Sequence, residues 1–298
     1  MVYRSILLFF TSLFFFIITS WISYQKTIVS SYIPRKELYT RQKKNKDKDK
    51  DKDKDKDNLS IFTYNIQKFP WSAKTFTSVK SLFQKYSIIL LQECYDETFS
   101  SLESHFPDYY ICRGTLHGIN LINSGLVILS KYPIRNSSFV AFKQYNPLTF
   151  DRFTEKGFLI AWIRVGENTI RIINTHLQSS DYERYDPYAF LQIEELLNYI
   201  GITKRGKFII GGDFNIDISY MKKRYMPSEE QLSLYHPTIP TIYINFSTGH
   251  SQSNKQFGYE GLIFDYFFTS KDIELEPITL ESPYSDHNGV ESFIKIIS

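Results

Sequence analysis

The chain has 298 residues, 42% of them apolar and 22% charged, with a formal net charge of +3, which suits one catalytic-sized core of roughly 200 to 250 residues plus accessory segments. The positive excess lies outside the apolar-patterned part, because residues 58–298 carry 25 acidic and 22 basic side chains; that balance disfavours a dedicated nucleic-acid binder. Only Cys94 and Cys112 occur as cysteines, so neither a disulfide framework nor a thiol mechanism is read from them, and Cys94 reads as a small buried core residue.

From Ser5 to Gln25 no residue is charged, and as a helix this apolar stretch is long enough to cross about 30 Å of hydrocarbon. Residues 1–25 are therefore expected to form a membrane span or uncleaved anchor, with a cleavable signal peptide as the rival reading. Lys26, Arg35, Lys36 and Arg41 follow it while Arg4 precedes it, which leans toward a cytosolic catalytic domain. Residues 26–57 read as a linker. Its second half, 43–57, alternates Lys and Asp without an apolar residue and cannot bury surface to offset the entropy of ordering. Three Asn-x-Ser triplets, at Asn58, Asn136 and Asn245, would matter only in a secretory lumen.

A catalytic domain is expected over 58–298. LSIFTYNI and SIILLQE predict buried strands at 59–66 and 87–93, with an amphipathic helix between them around Lys74 to Tyr86. Further strands are predicted at 124–130, 158–165, 169–177, 206–214 and 262–270, with a helix over Tyr188 to Ile200. Apolar strands interspersed with helices imply a layered α/β domain.

Polar residues recur at or just after these strand ends: Asn65, Glu93, His176, Asp213, Asn215, Asp265, Asp286 and His287. Any one could simply begin a turn, but eight together mark the end where a layered domain opens its site. In IIGGDFNID the two glycines are expected to let the backbone turn tightly and approach a ligand. Asp213 and Asn215 would then face the same side and meet one phosphate. In YSDHNGVE, adjacent Asp286 and His287 place an oxygen ligand beside an imidazole suited to proton removal near neutrality. His117, His236 and His250 read as surface residues.

The ordered motifs TYN (63–65), LQE (91–93), NTHLQ (174–178), GGDFN (211–215), FDYFFTS (264–270) and SDH (285–287) together resemble the endonuclease/exonuclease/phosphatase superfamily over roughly 58–298. Within it, Gln178, the ECYDE run after Glu93, SGLVILSKYPI and the Lys156-Gly157 pair are similar to the neutral sphingomyelinase branch, including bacterial sphingomyelinase C. Only about fifteen residues separate FFTS from SDH and none is Trp, unlike the aromatic hairpin of the bacterial enzymes.

The resemblance implies a four-layer α/β sandwich of two packed mixed sheets with helices outside. It further implies Mg2+, with Mn2+ as the alternative, held by Glu93 with Asn65 and Asp286 close by. His287 is then the general base and Asp265 fixes its tautomer, Asp213 and Asn215 orient water and phosphate, and His176 donates to the charge on phosphorus. Phospholipid at a membrane surface, specifically sphingomyelin, is the expected substrate. A DNA-repair nuclease of the same superfamily and an inactive membrane-tethered binding protein are the alternatives.

Overall fold

The computed structural model describes residues 39–40, 59–69, 75–95, 99–114, 122–180, 185–202, 206–225, 232–245 and 250–297. The expected anchor over 1–25 and nearly all of the linker lie outside them, and among the described residues no helix is long and apolar enough to cross a membrane. One piece of the expected linker is a strand, β1 (Tyr39–Thr40), paired with the edge strand β4 (Tyr110–Arg113). An edge carries unpaired backbone groups that a short extended segment can satisfy, so the domain recruits chain from before Asn58.

The first sheet also contains β2 (Ser60–Lys68), β3 (Ile88–Cys94), β5 (Val127–Ser130), β15 (Ile273–Leu275), β16 (Ile278–Leu280) and β17 (Gly289–Ile296). Its order is β1-β4-β5-β3-β2-β17-β15, with β16 also on β17. The second contains β6 (Ile134–Ala141), β7 (Gly157–Val165), β8 (Asn168–His176), β9 (Phe208–Asp213), β10 (Leu232–Tyr235) and β14 (Asp265–Ser270), in the order β10-β14-β9-β8-β7-β6. Both are mixed: β2 with β3 and β8 with β9 are parallel pairs among antiparallel neighbours. A small third sheet holds β11 (Ile242–Asn245), β12 (His250–Gln252) and β13 (Glu260–Leu262).

Period-two alternation assigns the faces. Ile61, Leu90 and Ile128 point between the sheets and pack against Leu159, Ile172, Ile209 and Phe267. Their neighbours Phe62, Ile89 and Leu129 point outward, where Phe83 of α1 (Lys80–Phe83) and Leu102 of α2 (Phe99–His105) cover them. On the other outer face Ile173, Ile210 and Phe268 meet Ile193 and Leu196 of α3 (Pro187–Ile202) and Met221 of α4 (Ile218–Tyr225). Helices thus lie outside two packed sheets.

The helix expected around 74–86 is instead a 3-10 turn, Phe76–Ser78, followed by the single turn of α1. Thr75, Thr77, Ser78 and Val79 are poor helix formers, and Phe76 and Phe83 are buried without a longer helix.

Candidate active site

The parallel strands deliver their polar residues at their carboxyl ends. Asn65 and Glu93 lie late in β2 and β3, while His176 and Asp213 are the last residues of β8 and β9. The antiparallel β14 begins at that same end with Asp265, so His176, Asp213 and Asp265 stand in register across three strands. Seven of the eight expected residues are joined by the polar contacts described below.

Asn65 bridges the two sheets. Its Nδ2 donates to Glu93 Oε1 at 3.1 Å and to Asp213 Oδ2 at 3.0 Å. His287 sends Nδ1 to Asp265 Oδ2 at 2.8 Å and lies with Nε2 3.5 Å from Asp213 Oδ2. His176 Nε2 is 3.6 Å from Asp213 Oδ2 and 3.9 Å from Glu93 Oε1. Asp286 accepts a hydrogen bond from Ser251 on β12 and another from Ser285 at 3.2 Å. Glu93 sits at φ 54°, a left-handed conformation costly for a long side chain and most often retained at functional sites.

The glycines act differently from the sequence expectation. Gly211 and Gly212 lie inside β9 and make no turn. A Cβ on Gly212 (φ +143°) would sit 2.0 Å from the Thr175 carbonyl oxygen, and one on Gly211 would meet Phe267 and Leu90 at 2.7 and 2.8 Å. They permit close strand and sheet approach, not ligand approach. Nor are Asp213 and Asn215 extended: Asn215 (φ 50°) donates its backbone N–H to Asp213 Oδ1 at 2.9 Å and its amide to the Leu177 carbonyl at 3.0 Å.

The charges in the cluster are strongly coupled. Burial opposes charge on His287, yet the carboxylates of Asp265 and Asp213 outweigh it and hold the imidazole well above its usual range. His176 is pushed well below its usual range by burial and then by the positive Lys156 and His287. Burial raises Asp213 to about 6, with Asp265 adding to it against the opposing pull of His287. Glu93 rises to about 7, through burial and then the like charge of Asp286.

That last pair tests the site for a cation. The buried Glu93 carboxylate beside the negative Asp286, with the Asn65 carboxamide bonded to Glu93, suits a hard divalent ion, which takes oxygen ligands and keeps several waters. Glu93 retains 18% side-chain exposure, leaving a route to solvent. Asp213, Asp265 and His287 also bring one ligand atom each within 4.8 Å, but Asp265 Oδ2 and His287 Nδ1 are already bonded to one another. In that triad the imidazole lies between the two carboxylates, bonded to Asp265 and 3.5 Å from Asp213. The residues therefore fit a cation on the Glu93 side.

Two residues stand out that sequence reasoning left without a role. Buried Lys156 places Nζ 3.1 Å from His176 Nε2, 3.0 Å from the Leu177 carbonyl and 3.2 Å from Asp151 Oδ2. An ammonium only donates, so His176 Nε2 is the acceptor here. Asp151, in the 3-10 turn Phe150–Phe153 with no strand end to flag it, also accepts from Gln178 Nε2 at 3.0 Å and from Ser179. Gln178 therefore ties the 146–151 loop to the strand end, also binding Thr149 at 2.8 Å. His236 is half-buried and His250 exposed on β12, while His117 lies outside the described residues. Both cysteines are buried.

Two packed mixed sheets with helices outside, and Asn, Glu, His and Asp side chains meeting at adjacent strand ends, define the class as a layered α/β domain with a polar site at the ends of its strands. The chain belongs to the endonuclease/exonuclease/phosphatase family, whose family model matches residues 62–287.

It is similar to sphingomyelinase C 2 of Leptospira interrogans, 27% identical over 176 residues, covering 55% of this chain and 27% of that protein. A sphingomyelinase of Dictyostelium discoideum is 32% identical over 120 residues, 34% of this chain and 26% of that protein. These matches span only about a quarter of either relative. Among solved structures, beta toxin from Staphylococcus aureus superposes with a TM-score of 0.61 at 19% identity, over 80% of this chain and all of that one. A variant of that toxin with bound magnesium ions gives 0.58 at 18%, over 80% and 100%. D. rerio TDP2 complexed with a single-strand DNA product gives 0.60 at 15%, over 80% and 99%.

Proposed function

We propose that this chain is a Mg2+-dependent phosphodiesterase acting on phospholipid, hydrolysing sphingomyelin to ceramide and phosphocholine. The observation that carries the reading is the facing of two units across the sheet boundary: the Asp265–His287–Asp213 chain, and the Asn65–Glu93 pair bonded to it through Asp213. The sphingomyelinase relatives support the substrate class.

His287 Nε2 takes a proton from the attacking water while Asp265 holds Nδ1–H and so fixes the tautomer. Asp213 and Asn215 orient the water and the phosphate. Positive potential at the charge developing on phosphorus comes from the Lys156 ammonium, which donates to Nε2 of the uncharged His176, so His176 positions that ammonium and is not the expected donor. Attack in line forms the new P–O bond as the bond to the ceramide oxygen breaks; that oxygen takes a proton from solvent water, and His287 returns the proton it accepted to solvent. Glu93, with Asn65 and Asp286 alongside, would hold Mg2+, which when bound would supply neutralisation of the phosphate's negative charge.

Two loops tied to the site also carry exposed apolar side chains, which favours a lipid surface. Leu148, 90% exposed, lies in the loop held by Gln178, and Phe257 lies fully exposed between β12 and β13, beyond the Ser251 that binds Asp286. The apolar stretch at 5–25 completes the proposal as a membrane tether.

The test is a substrate panel of sphingomyelin, lysophospholipid, phosphoinositide and DNA with the full chain, with and without Mg2+. Phosphocholine release from sphingomyelin vesicles only with Mg2+ supports the reading. Nicking of DNA without lipid hydrolysis replaces it with a nuclease, and inactivity on every substrate leaves a tethered binding protein.

A further inference from the structure

We infer that Gln92 and Asn174 form an inter-sheet clamp that sets the spacing between the two halves of the site, making both positioning residues for the proposed reaction. The inference rests on the phosphodiesterase reading. Both side chains are fully buried, Gln92 on β3 of the first sheet and Asn174 on β8 of the second. Gln92 Nε2 donates to Asn174 Oδ1 at 2.7 Å and to Thr63 Oγ1 on β2 at 3.0 Å. Asn174 Nδ2 in turn donates to the carbonyls of Leu91 at 2.8 Å and Val127 at 2.9 Å.

The location of those carbonyls gives the clamp its meaning. Leu91 and Val127 are the last registered pair of the β3–β5 ladder. Beyond them the backbone turns into the left-handed conformation of Glu93, and Cys94 resumes bonding through the Gly125 carbonyl at 2.9 Å. A donor from the opposite sheet therefore satisfies the carbonyls where β3 departs toward the site. Gly211, in register with Asn174, lets the sheets approach closely enough for two short amides to span the gap.

Around this pair the layer is apolar, with Leu90, Ile128 and Ile209 in the same core. An apolar pair would fill the space without needing partners, whereas a buried amide loses stability unless bonded; here Gln92 Nε2 and both polar atoms of Asn174 are bonded and specify one geometry, while Gln92 Oε1 stays buried without a partner, a cost the pair carries. Gln92 immediately precedes Glu93, and Asn174 precedes His176 by one strand repeat. The clamp thus joins the cation-side carboxylate to the opposing imidazole.

Gln92→Met and Asn174→Leu remove the donors at similar size. Measured well below each variant's own thermal midpoint, either should lower kcat about 10- to 100-fold, as misplacement on the ångström scale does, with KM within about threefold. The double variant should lose no more than the worse single one. Thr269→Val removes a different buried bond, to the Ile273 carbonyl at 2.9 Å, and serves as the control. It should lower the midpoint while preserving kcat.

Wild-type kcat in either clamp variant, or an equal loss in Thr269→Val, would overturn the inference. If the wild-type chain does not hydrolyse sphingomyelin, the substrate reading fails and the clamp is judged by Mg2+ titration of the thermal midpoint. About tenfold weaker half-saturation in Gln92→Met, the scale seen when groups supporting metal ligands are lost, supports it. Unchanged half-saturation, or no Mg2+ effect on the wild type, overturns it.

Discussion

Asp265 Oδ2 lies 2.8 Å from His287 Nδ1, joining the first residue of β14 to the loop that enters β17 across 22 positions of sequence. The bond orients the ring so that Nε2 faces Asp213. Burial alone would keep His287 neutral, so its raised proton affinity measures how much negative charge surrounds it.

Replacing Asp265 with Asn should lower kcat by roughly 10³-fold, within the range for loss of general-base function. It should also move the acidic limb of the kcat/KM profile to lower pH. The sign follows from the role: His287 acts when deprotonated, Asp265 raises its pKa, and removing that carboxylate lets the proton leave at lower pH. A pH–rate profile of the variant checks this, and a limb that stays put or moves upward contradicts it.

Glu93→Gln should stabilise the metal-free chain by about 3 kcal/mol at pH 8 and leave it unchanged at pH 4. The folded carboxyl is raised from 4.5 to about 7, by burial and then Asp286. Its contribution is therefore fully present below the unfolded pKa and is lost as pH rises through the folded one. The glutamine carries no charge and escapes that loss. Thermal midpoints at both pH values, with and without Mg2+, decide it, and the variant should show little response to Mg2+.

Lys156→Met should reduce kcat about 100-fold while leaving the domain folded. It removes the ammonium beside His176 Nε2, an electrostatic contribution typical of such losses. Asp151 keeps its bonds from Gln178 and Ser179. Circular dichroism together with turnover separates this from unfolding, and a variant with full activity would remove Lys156 from the site.

Gly212→Ala should destabilise the domain by about 3 kcal/mol or more, because its Cβ would fall 2.0 Å from the Thr175 carbonyl in a conformation that L residues rarely adopt. Gly201→Ala, at a helical position with nothing within 4 Å, should be neutral or stabilise by about 0.5 to 1 kcal/mol. Denaturant midpoints of the two variants compare the effects directly.

Strands with long apolar runs were legible because burial on both faces writes itself into composition: β2, β3, β7, β8, β9 and β14 all overlap their expected ranges. Strands β6 and β17 were not, since RNSSFVA and GVESFIKI interrupt the apolar pattern with exposed or half-buried residues. Short strands such as β12, β15 and β16 depend on a partner rather than on their own periodicity.

The sequence by itself determined which polar side chains stand at the strand ends: Asn65, Glu93, His176, Asp213, Asp265 and His287 were recognisable from residue type and position, because strand periodicity is local. Only the tertiary structure decided which of them touch. The Asp265–His287 bond, the Asn65 bridge and the Asp151–Lys156–His176 chain each join distant segments, and their geometry depends on sheet packing and register. The glycines of the GGD motif show the same division. Their presence was visible in the sequence, but only packing against Thr175, Phe267 and Leu90 revealed that they bring strands and sheets together.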